Sequence, residues 1–189
     1  MLITLIRHGE SEGNIQKRYG GHYEFKLTEE GRKQAELIAK RISKEKYDHI
    51  YVSDLIRTRE TAEPILKDHS ETPVTFDPRL REKHLGIYEG KKEEEHKIDK
   101  WGTIEGGESQ KQLTQRIIEF LDYLWNNHKG ENILLITHGG YITTMLMHLA
   151  NSNENKKYHP GNASISIVKF DLQKNHQIHV IGDNSHLNQ

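Results

Sequence analysis

Leu2-Ile3-Thr4-Leu5-Ile6-Arg7-His8-Gly9-Glu10 opens the chain. Its apolar half suits a buried strand, and it stops abruptly at a cation, an imidazole and a glycine. In open α/β sheets ligands bind outside the carboxyl ends of the strands, where these groups would stand. Gly9 has no Cβ, so the backbone can turn sharply or a ligand can come close. An isolated Arg-His pair would be an ordinary surface pair beside a turn. A second run changes that reading: Ile133-Leu134-Leu135-Ile136-Thr137-His138-Gly139-Gly140 repeats the design of apolar strand, histidine, glycine. Two histidines on two strand ends can face one small ligand.

Between and beyond these runs the chain alternates strand and helix patterns. A polar loop from Ser11 to Lys26 carries Gly13, Gly20 and Gly21, and a long loop inside a compact domain is usually functional. Thr28 is placed to cap a helix whose first turn holds Glu29 and Glu30. Ala35, Ile38, Ala39 and Ile42 give that helix an apolar stripe. His49–Val52 is a short strand, and Ser53 is expected to cap the helix that follows, with a break at Pro64 because proline interrupts a helix interior. Val74–Phe76 is the third strand.

The stretch from Arg79 to Glu108 is loop-rich, and its charge run from Lys91 to Lys97 predicts a solvated helix where a lid could sit. Ser109 caps the clearest helix, with Leu113, Ile117, Phe120, Leu121 and Leu124 on one face. Ile133–Ile136, apolar at consecutive positions, predicts a parallel strand covered on both sides. A helix from Gly140 to Ala150 follows. Ser164–Val168 and Gln177–Ile181 form a hairpin turning near Lys174-Asn175. The order predicts an α/β three-layer sandwich, with a mostly parallel sheet, helices on both faces and an antiparallel C-terminal hairpin. All of this fits one domain, residues 1–189.

Composition narrows the function classes. The chain has 189 residues, 33% hydrophobic and 29% charged, with 27 Lys+Arg against 28 Asp+Glu and a net charge of −1. Bulk charge gives no support to nucleic-acid binding. Without cysteine, disulfides and thiolate metal sites are excluded. The apolar start is too short for a signal peptide and no run is long enough to span a membrane. The expected location is the cytoplasm, with no membrane partner. Thirteen histidines invite a metal, but His176 and His179 are three apart and would point to opposite faces of a strand. His186 is expected to be structural, and His22, His84 and His159 are candidates to border a pocket.

Further chemistry falls after the strands. Ser53-Asp54-Leu55-Ile56-Arg57-Thr58 puts a guanidinium in the first turn of a helix. Leu80-Arg81-Glu82 and Glu89-Gly90 supply carboxylates, and Asn14 lies in the first loop. Two arginines, two imidazoles, an amide and a carboxylic acid suit phosphoryl transfer, where the protein mainly positions and stabilises charge. Six motifs in order carry a family resemblance across nearly the whole chain. They are Arg7-His8-Gly9-Glu10 with Asn14, Leu27-Thr28-Glu29-Glu30-Gly31 with Gln34-Ala35, Ser53-Asp54-Leu55 with Arg57-Thr58, Leu80-Arg81-Glu82 with Glu89-Gly90, Gly107-Glu108-Ser109, and Thr137-His138-Gly139. The sequence resembles the histidine phosphatase superfamily, in its phosphoglycerate-mutase-like branch.

The resemblance implies that His8 becomes phosphohistidine. Arg7, Arg57 and His138 would bind the phosphoryl oxygens, Glu82 would protonate the leaving oxygen, and Asn14, Gly139, Gly20 and Lys83 would border phosphate or substrate. No metal and no other cofactor is expected. The partner would be a small phosphorylated metabolite, and the protein a monomer or homodimer. Gly20 stands where many members have glutamine. The span from Glu82 to Glu108 is short, where the glycolytic mutases carry a longer insertion that encloses their substrates. That difference favours a phosphatase over a mutase. The alternatives are an isomerase, told apart by whether 3-phosphoglycerate gives its isomer or inorganic phosphate, and a non-catalytic regulatory protein. The complete set of Arg7, His8, Arg57, Glu82 and His138 argues against the latter.

Overall fold

A computed structural model describes residues 1–188. Six strands form one sheet: β1 (Leu2–Arg7), β2 (His49–Val52), β3 (Val74–Phe76), β4 (Asn132–Thr137), β5 (Ile165–Phe170) and β6 (His176–Asp183). Their spatial order is β3-β2-β4-β1-β5-β6. The first four are mutually parallel, while β5 runs antiparallel to β1 and β6 antiparallel to β5. The helices are α1 (Glu12–Ile15), α2 (Glu29–Ile42), α3 (Ile56–Asp68), α4 (Gln110–Asn127), α5 (Gly139–Leu149) and α6 (Asn155–Tyr158).

Period-two geometry explains why β1 and β4 are apolar at consecutive positions, since successive side chains face opposite layers. Ile3, Leu5, Ile133 and Leu135 pack against Leu113, Ile117 and Phe120 of α4 and Ile142 and Met145 of α5. Ile6, Leu134 and Ile136 face the other way, onto Ile38 and Ile42 of α2 and Ala62 and Ile65 of α3. The expected three layers are present, and the hairpin turns through Lys174, whose φ is +67°. Buried His186 is structural as expected, its Nε2 lying 2.9 Å from the Ala163 carbonyl oxygen.

Three local expectations need correction. Ser53 does not cap α3: Leu55 holds the N-cap position, and the Ser53 hydroxyl is used elsewhere. Helix α3 runs through Pro64 without a break, because proline's fixed φ is helical and the bond forfeited is that to the Glu60 carbonyl. The Lys91–Lys97 run is not a helix. Its backbone is bound to another loop instead: Glu93 N–H donates to the Lys17 carbonyl at 2.9 Å, Tyr19 O–H to the His96 carbonyl at 2.5 Å, and Lys92 bridges to Arg18. The Ser11–Lys26 loop in turn contains the one-turn helix α1.

The first turn of α2 presses on the strand end that carries the sequence motif. Thr28 caps it, its Oγ1 accepting from Gly31 N–H at 2.9 Å. A Cβ on Gly31 would lie 1.9 Å from the Glu10 carbonyl oxygen, and one on Gly9 would lie 2.5 Å from the Gly31 carbonyl oxygen. Backbone therefore meets backbone, and no flexible side-chain end can give way. Gly31→Ala is expected to destabilise by about 2–3 kcal/mol, the upper part of the overpacking range. A chemical denaturation midpoint equal to wild type would remove this contact from the account.

Candidate active site

The parallel pairing of β1 and β4 sets Arg7 against Thr137. The next residues, His8 and His138, therefore emerge side by side at the rim. His8 N–H donates to the Thr137 carbonyl at 3.0 Å, and the two imidazole centroids are 5.2 Å apart with planes at 61°. Gly9 turns the chain away, its N–H donating to Thr61 Oγ1 at 3.1 Å.

His8 is 4% exposed. Its Nδ1 lies 2.7 Å from the Gly9 carbonyl oxygen. A carbonyl can only accept, so Nδ1 carries the proton and Nε2 keeps its lone pair. Burial holds the imidazole well below its ordinary pKa, reinforced by the charges of Arg57 and Arg7 and opposed by the Gly9 bond. The result is a neutral ring with a free Nε2, which can act as a nucleophile.

His138 is fully buried and likewise held well below its ordinary value, first by burial and then by Arg57 and its neighbours. Its Nε2 is 2.8 Å from Ser53 Oγ, while Nδ1 is buried with no partner. Proton accounting decides the tautomer. If Nε2 held the hydrogen, both the Ser53 hydroxyl hydrogen and the Nδ1 lone pair would be buried without partners. If Ser53 donates to Nε2, the unmet group is an Nδ1–H donor, which an anion can satisfy.

The arginines are tied by backbone carbonyls, not carboxylates. Arg57, 2% exposed in the first turn of α3, donates to the Gly21 carbonyl at 2.8 Å and the Tyr23 carbonyl at 2.9 Å. Arg7 donates to the Pro160 carbonyl at 2.7 Å, leaving its Nε buried without a partner. Desolvation lowers both guanidiniums, Arg57 to about 10, with Glu82 pulling back upward in each case. Cations withdrawn from water, Arg57 fully and Arg7 in part, with no carboxylate bonded to either, form a site for an anion, and guanidinium forks match phosphoryl oxygens.

Glu82 faces this charge from a clamped loop. Arg116 of α4 donates to the carbonyls of Arg79, Arg81 and Glu82 at 2.7, 2.8 and 3.3 Å, while Glu108 holds its other edge. The Gly107-Glu108-Ser109 motif thus acts by fixing Glu82's backbone. The Glu82 carboxylate accepts Lys83 N–H at 2.9 Å and Gly140 N–H at 2.8 Å. A Cβ on Gly140 would lie 2.5 Å from Glu82 Oε1, and one on Gly139 3.1 Å from Arg7 Nε, so both glycines admit a catalytic-type group.

A cavity of about 590 Å³ holds Arg7, His8, Arg57, Glu82, Gly139, Asn14, Gly20 and Lys83 together. His138 is not among the residues that line it and packs behind His8, ring against ring. Asn14 Oδ1 is engaged by Ser11 and by Asn162 Nδ2 at 3.0 Å. A Cβ on Gly20 would meet only Arg57, at 3.8 Å, so space is left beside that guanidinium. Lys83 Nζ donates to the carbonyls of Lys100 and Gly102 at 2.7 and 3.1 Å, and burial lowers its pKa. Of the three bordering histidines, His159 lines the cavity. His22 and His84 pack together at 4.8 Å, with His22 Nε2 against the Glu82 carbonyl oxygen.

The contact of Ser53 with His138 was not legible in its motif, and Arg116 and Asn162 carried no signal at all. Asn162 Nδ2 reaches the carbonyls of His8 and Gly9 at 3.3 and 3.2 Å, a long-range role with no local signal. Among the described residues no group of three or more His, Asp or Glu is arranged to hold a metal, and no helix is long and apolar enough to cross a membrane.

Fold and site define a phosphoryl-transfer scaffold with a histidine at its centre. The sequence model of the histidine phosphatase superfamily (branch 1) matches residues 3–183, and the chain belongs to that family. Phosphoglycerate mutase-like protein 4 of Arabidopsis thaliana is 36% identical over 202 aligned positions, covering 99% of this chain and 87% of its own. The metal-independent phosphoserine phosphatase of the same plant is 34% identical over 186 positions, covering 91% and 77%. The solved structure of YhfR from Bacillus stearothermophilus superposes with a TM-score of 0.88 at 30% identity, covering 98% of each chain.

In wild type, ¹⁵N NMR of labelled histidine should show His138 as the Nδ1–H tautomer. Ser53→Ala should give a mixture of tautomers with the fold intact. Unchanged His138 shifts in Ser53→Ala would show that the hydroxyl does not set the tautomer.

Proposed function

We propose that this chain is a metal-independent phosphatase that hydrolyses small phosphomonoesters through a phosphohistidine on His8. The observation that carries the reading is the neutral His8 imidazole, with Nδ1 committed to Gly9 and Nε2 free in a cavity that also holds Arg7 and the buried Arg57. Nε2 attacks phosphorus and the bond to the alcohol oxygen breaks in line. The imidazole becomes positive as it takes the phosphoryl group, and the Gly9 carbonyl stabilises that charge through Nδ1–H. Arg7, Arg57 and His138 Nδ1–H hold the equatorial oxygens, with Asn14 as a peripheral contact.

The leaving oxygen takes a proton from Glu82, which then accepts one from the water that attacks phosphorus, an O–P bond forming as the P–Nε2 bond breaks. Inorganic phosphate leaves and His8 is restored. Splitting one hydrolysis into two displacements lowers each barrier. Asn14 and His159 at the cavity's edge are exposed to solvent, which supports water as the second acceptor. The location is the cytoplasm and the partner a small phosphorylated metabolite. The mutase-like relative keeps a second reading in view, phosphoryl return to another hydroxyl of the same substrate. Product analysis with 3-phosphoglycerate separates the two, as inorganic phosphate or isomer.

Phosphate release from p-nitrophenyl phosphate, with acid-free quench and mass mapping of the phosphoenzyme, tests the proposal. The label should sit on His8, and His8→Ala should abolish turnover. Label on another residue, or full activity in His8→Ala, would sink the assignment.

Glu82 is tested through the leaving group. An alkoxide needs a proton as it departs, whereas nitrophenolate leaves as an anion. Glu82→Gln should slow the burst from alkyl phosphates by about 10²-fold or more, within the usual range for general acid catalysis, and slow that from p-nitrophenyl phosphate far less. Equal losses for both substrate types would remove Glu82 from the acid role.

A further inference from the structure

The two groups that must meet the substrate together are held by separate loops. Residues 20–24 supply both carbonyls that orient Arg57, those of Gly21 and Tyr23. The same loop grips the start of α3, the helix that carries Arg57, because the Glu24 carboxylate accepts Ile56 N–H at 2.8 Å. Glu82 belongs to a different loop, and its carboxylate accepts the backbone N–H groups of Lys83 and Gly140. Arg57 thus bonds to carbonyls and Glu82 to amides, so the position of one relative to the other is set through the loops.

One side chain joins the two. His22 lies in the first loop, and its Nε2 is 2.9 Å from the Glu82 carbonyl oxygen, 60 positions further along the chain. A carbonyl can only accept, so Nε2 carries the hydrogen and donates. The Arg116 guanidinium reaches the same oxygen at 3.3 Å, the longest of its three carbonyl bonds. Glu89 fixes His22 at its backbone: Oε1 accepts His22 N–H at 2.7 Å and Leu85 N–H at 3.0 Å. Gly21, at a φ of +49°, leaves room for that carboxylate, which a Cβ there would strike. The ring stands edge-on to His84 at 4.8 Å. His22 is not among the residues that line the cavity.

We propose that His22 is a positioning residue: its Nε2–H fastens the Arg57 loop to the Glu82 backbone, so that the anion seat and the proton donor are held in one register. The phosphoryl oxygens are gripped by Arg57 while the leaving oxygen of the same group is met by Glu82. A misplacement of about 1 Å between such groups costs on the order of 10²-fold in rate. Loops tied only at their own ends drift more than that, and a hydrogen bond between them removes the drift. The inference rests on the phosphatase reading for the part played by Glu82 and is independent of it for the anion seat.

Three variants separate the N–H from the ring. His22→Phe keeps an aromatic ring against His84 and removes the donor. His22→Asn removes the ring and carries its amide nitrogen short of the carbonyl, and it gives the same comparison should the phenylalanine protein fail to fold. His22→Gln reaches about as far from the backbone as Nε2 and restores a donor. The first readout is calorimetric binding of inorganic phosphate, which needs no turnover. Its Kd should rise about tenfold in His22→Phe and His22→Asn, the worth of one hydrogen bond, and return towards wild type in His22→Gln. In an Arg57→Ala background His22→Phe should add nothing, because the contact acts through Arg57. The second readout is the burst rate with an alkyl phosphate relative to p-nitrophenyl phosphate. That ratio should fall about tenfold in the two removal variants, recover in His22→Gln, and be insensitive to His22→Phe in a Glu82→Gln background.

Wild-type phosphate affinity in the removal variants would overturn the proposal. So would a loss that His22→Gln fails to recover, since the ring and not its N–H would then matter, or losses that simply add to those of Arg57→Ala and Glu82→Gln. In a protein that turns over, a change in only one of the two readouts would overturn it as well, because one contact is argued to set both. Absence of phosphate release from every ester, with phosphate affinity falling and recovering as stated, would instead sink the phosphatase reading and leave His22 as the fastening of the anion seat.

Discussion

The site depends on one register: the parallel pairing of β1 with β4 that sets Arg7 against Thr137. Because side chains alternate across a strand, a slip of one residue would exchange every core position for one on the opposite layer. Ile3 and Leu5 on one face and Ile6 on the other forbid that slip. The same hydrophobic specification that builds the three layers therefore also fixes His8 beside His138. Their 5.2 Å separation is a consequence of core packing, not of any attraction between two neutral rings.

On that frame the protein gathers positive charge that it does not neutralise. Arg7 and Arg57 bond to carbonyls, and Arg7 Nε and His138 Nδ1 are buried with no partner. Each is a cost to the free protein, since an unmet buried donor destabilises by about 1–3 kcal/mol. Glu82, supported by Gly140 N–H and the Arg116–Glu108 clamp, offsets that charge only in part, acting on both arginines without bonding to either. A phosphoryl dianion would satisfy the orphaned donors and the uncompensated charge at once. Stability withheld from the empty protein in this way becomes affinity for the anion.

Glycine has a separate task at this rim. Gly9 and Gly31 let two backbones touch, while Gly139 and Gly140 let Arg7 and Glu82 approach the first turn of α5. Gly9 and Gly31 are closed to side chains by backbone, whereas a Cβ on Gly139 or Gly140 would meet side chains, those of Arg7 and Glu82 first. Gly20 is different, because a Cβ there would meet only Arg57 at ordinary distance. Its space adds to the cavity, and nothing in the backbone requires it.

Sequence alone determined the layers, the strands and most of the site. The apolar runs at β1 and β4 are local and continuous, and the groups at their ends had one rim to occupy. His8, His138, Arg57 and Glu82 were legible for that reason, each lying just after a strand. What tertiary structure decided was everything set by contacts distant in the chain. Ser53, placed by local pattern as a cap, serves His138 instead, 85 positions away. The charged run at Lys91–Lys97 has helical composition, but its backbone found partners in the loop of Lys17–Tyr19. The tautomers of both histidines and the clamp from Arg116 follow from three-dimensional neighbours. Hydrophobic periodicity is written along the chain, whereas hydrogen-bond partnership across such separations is settled only when the sheet closes.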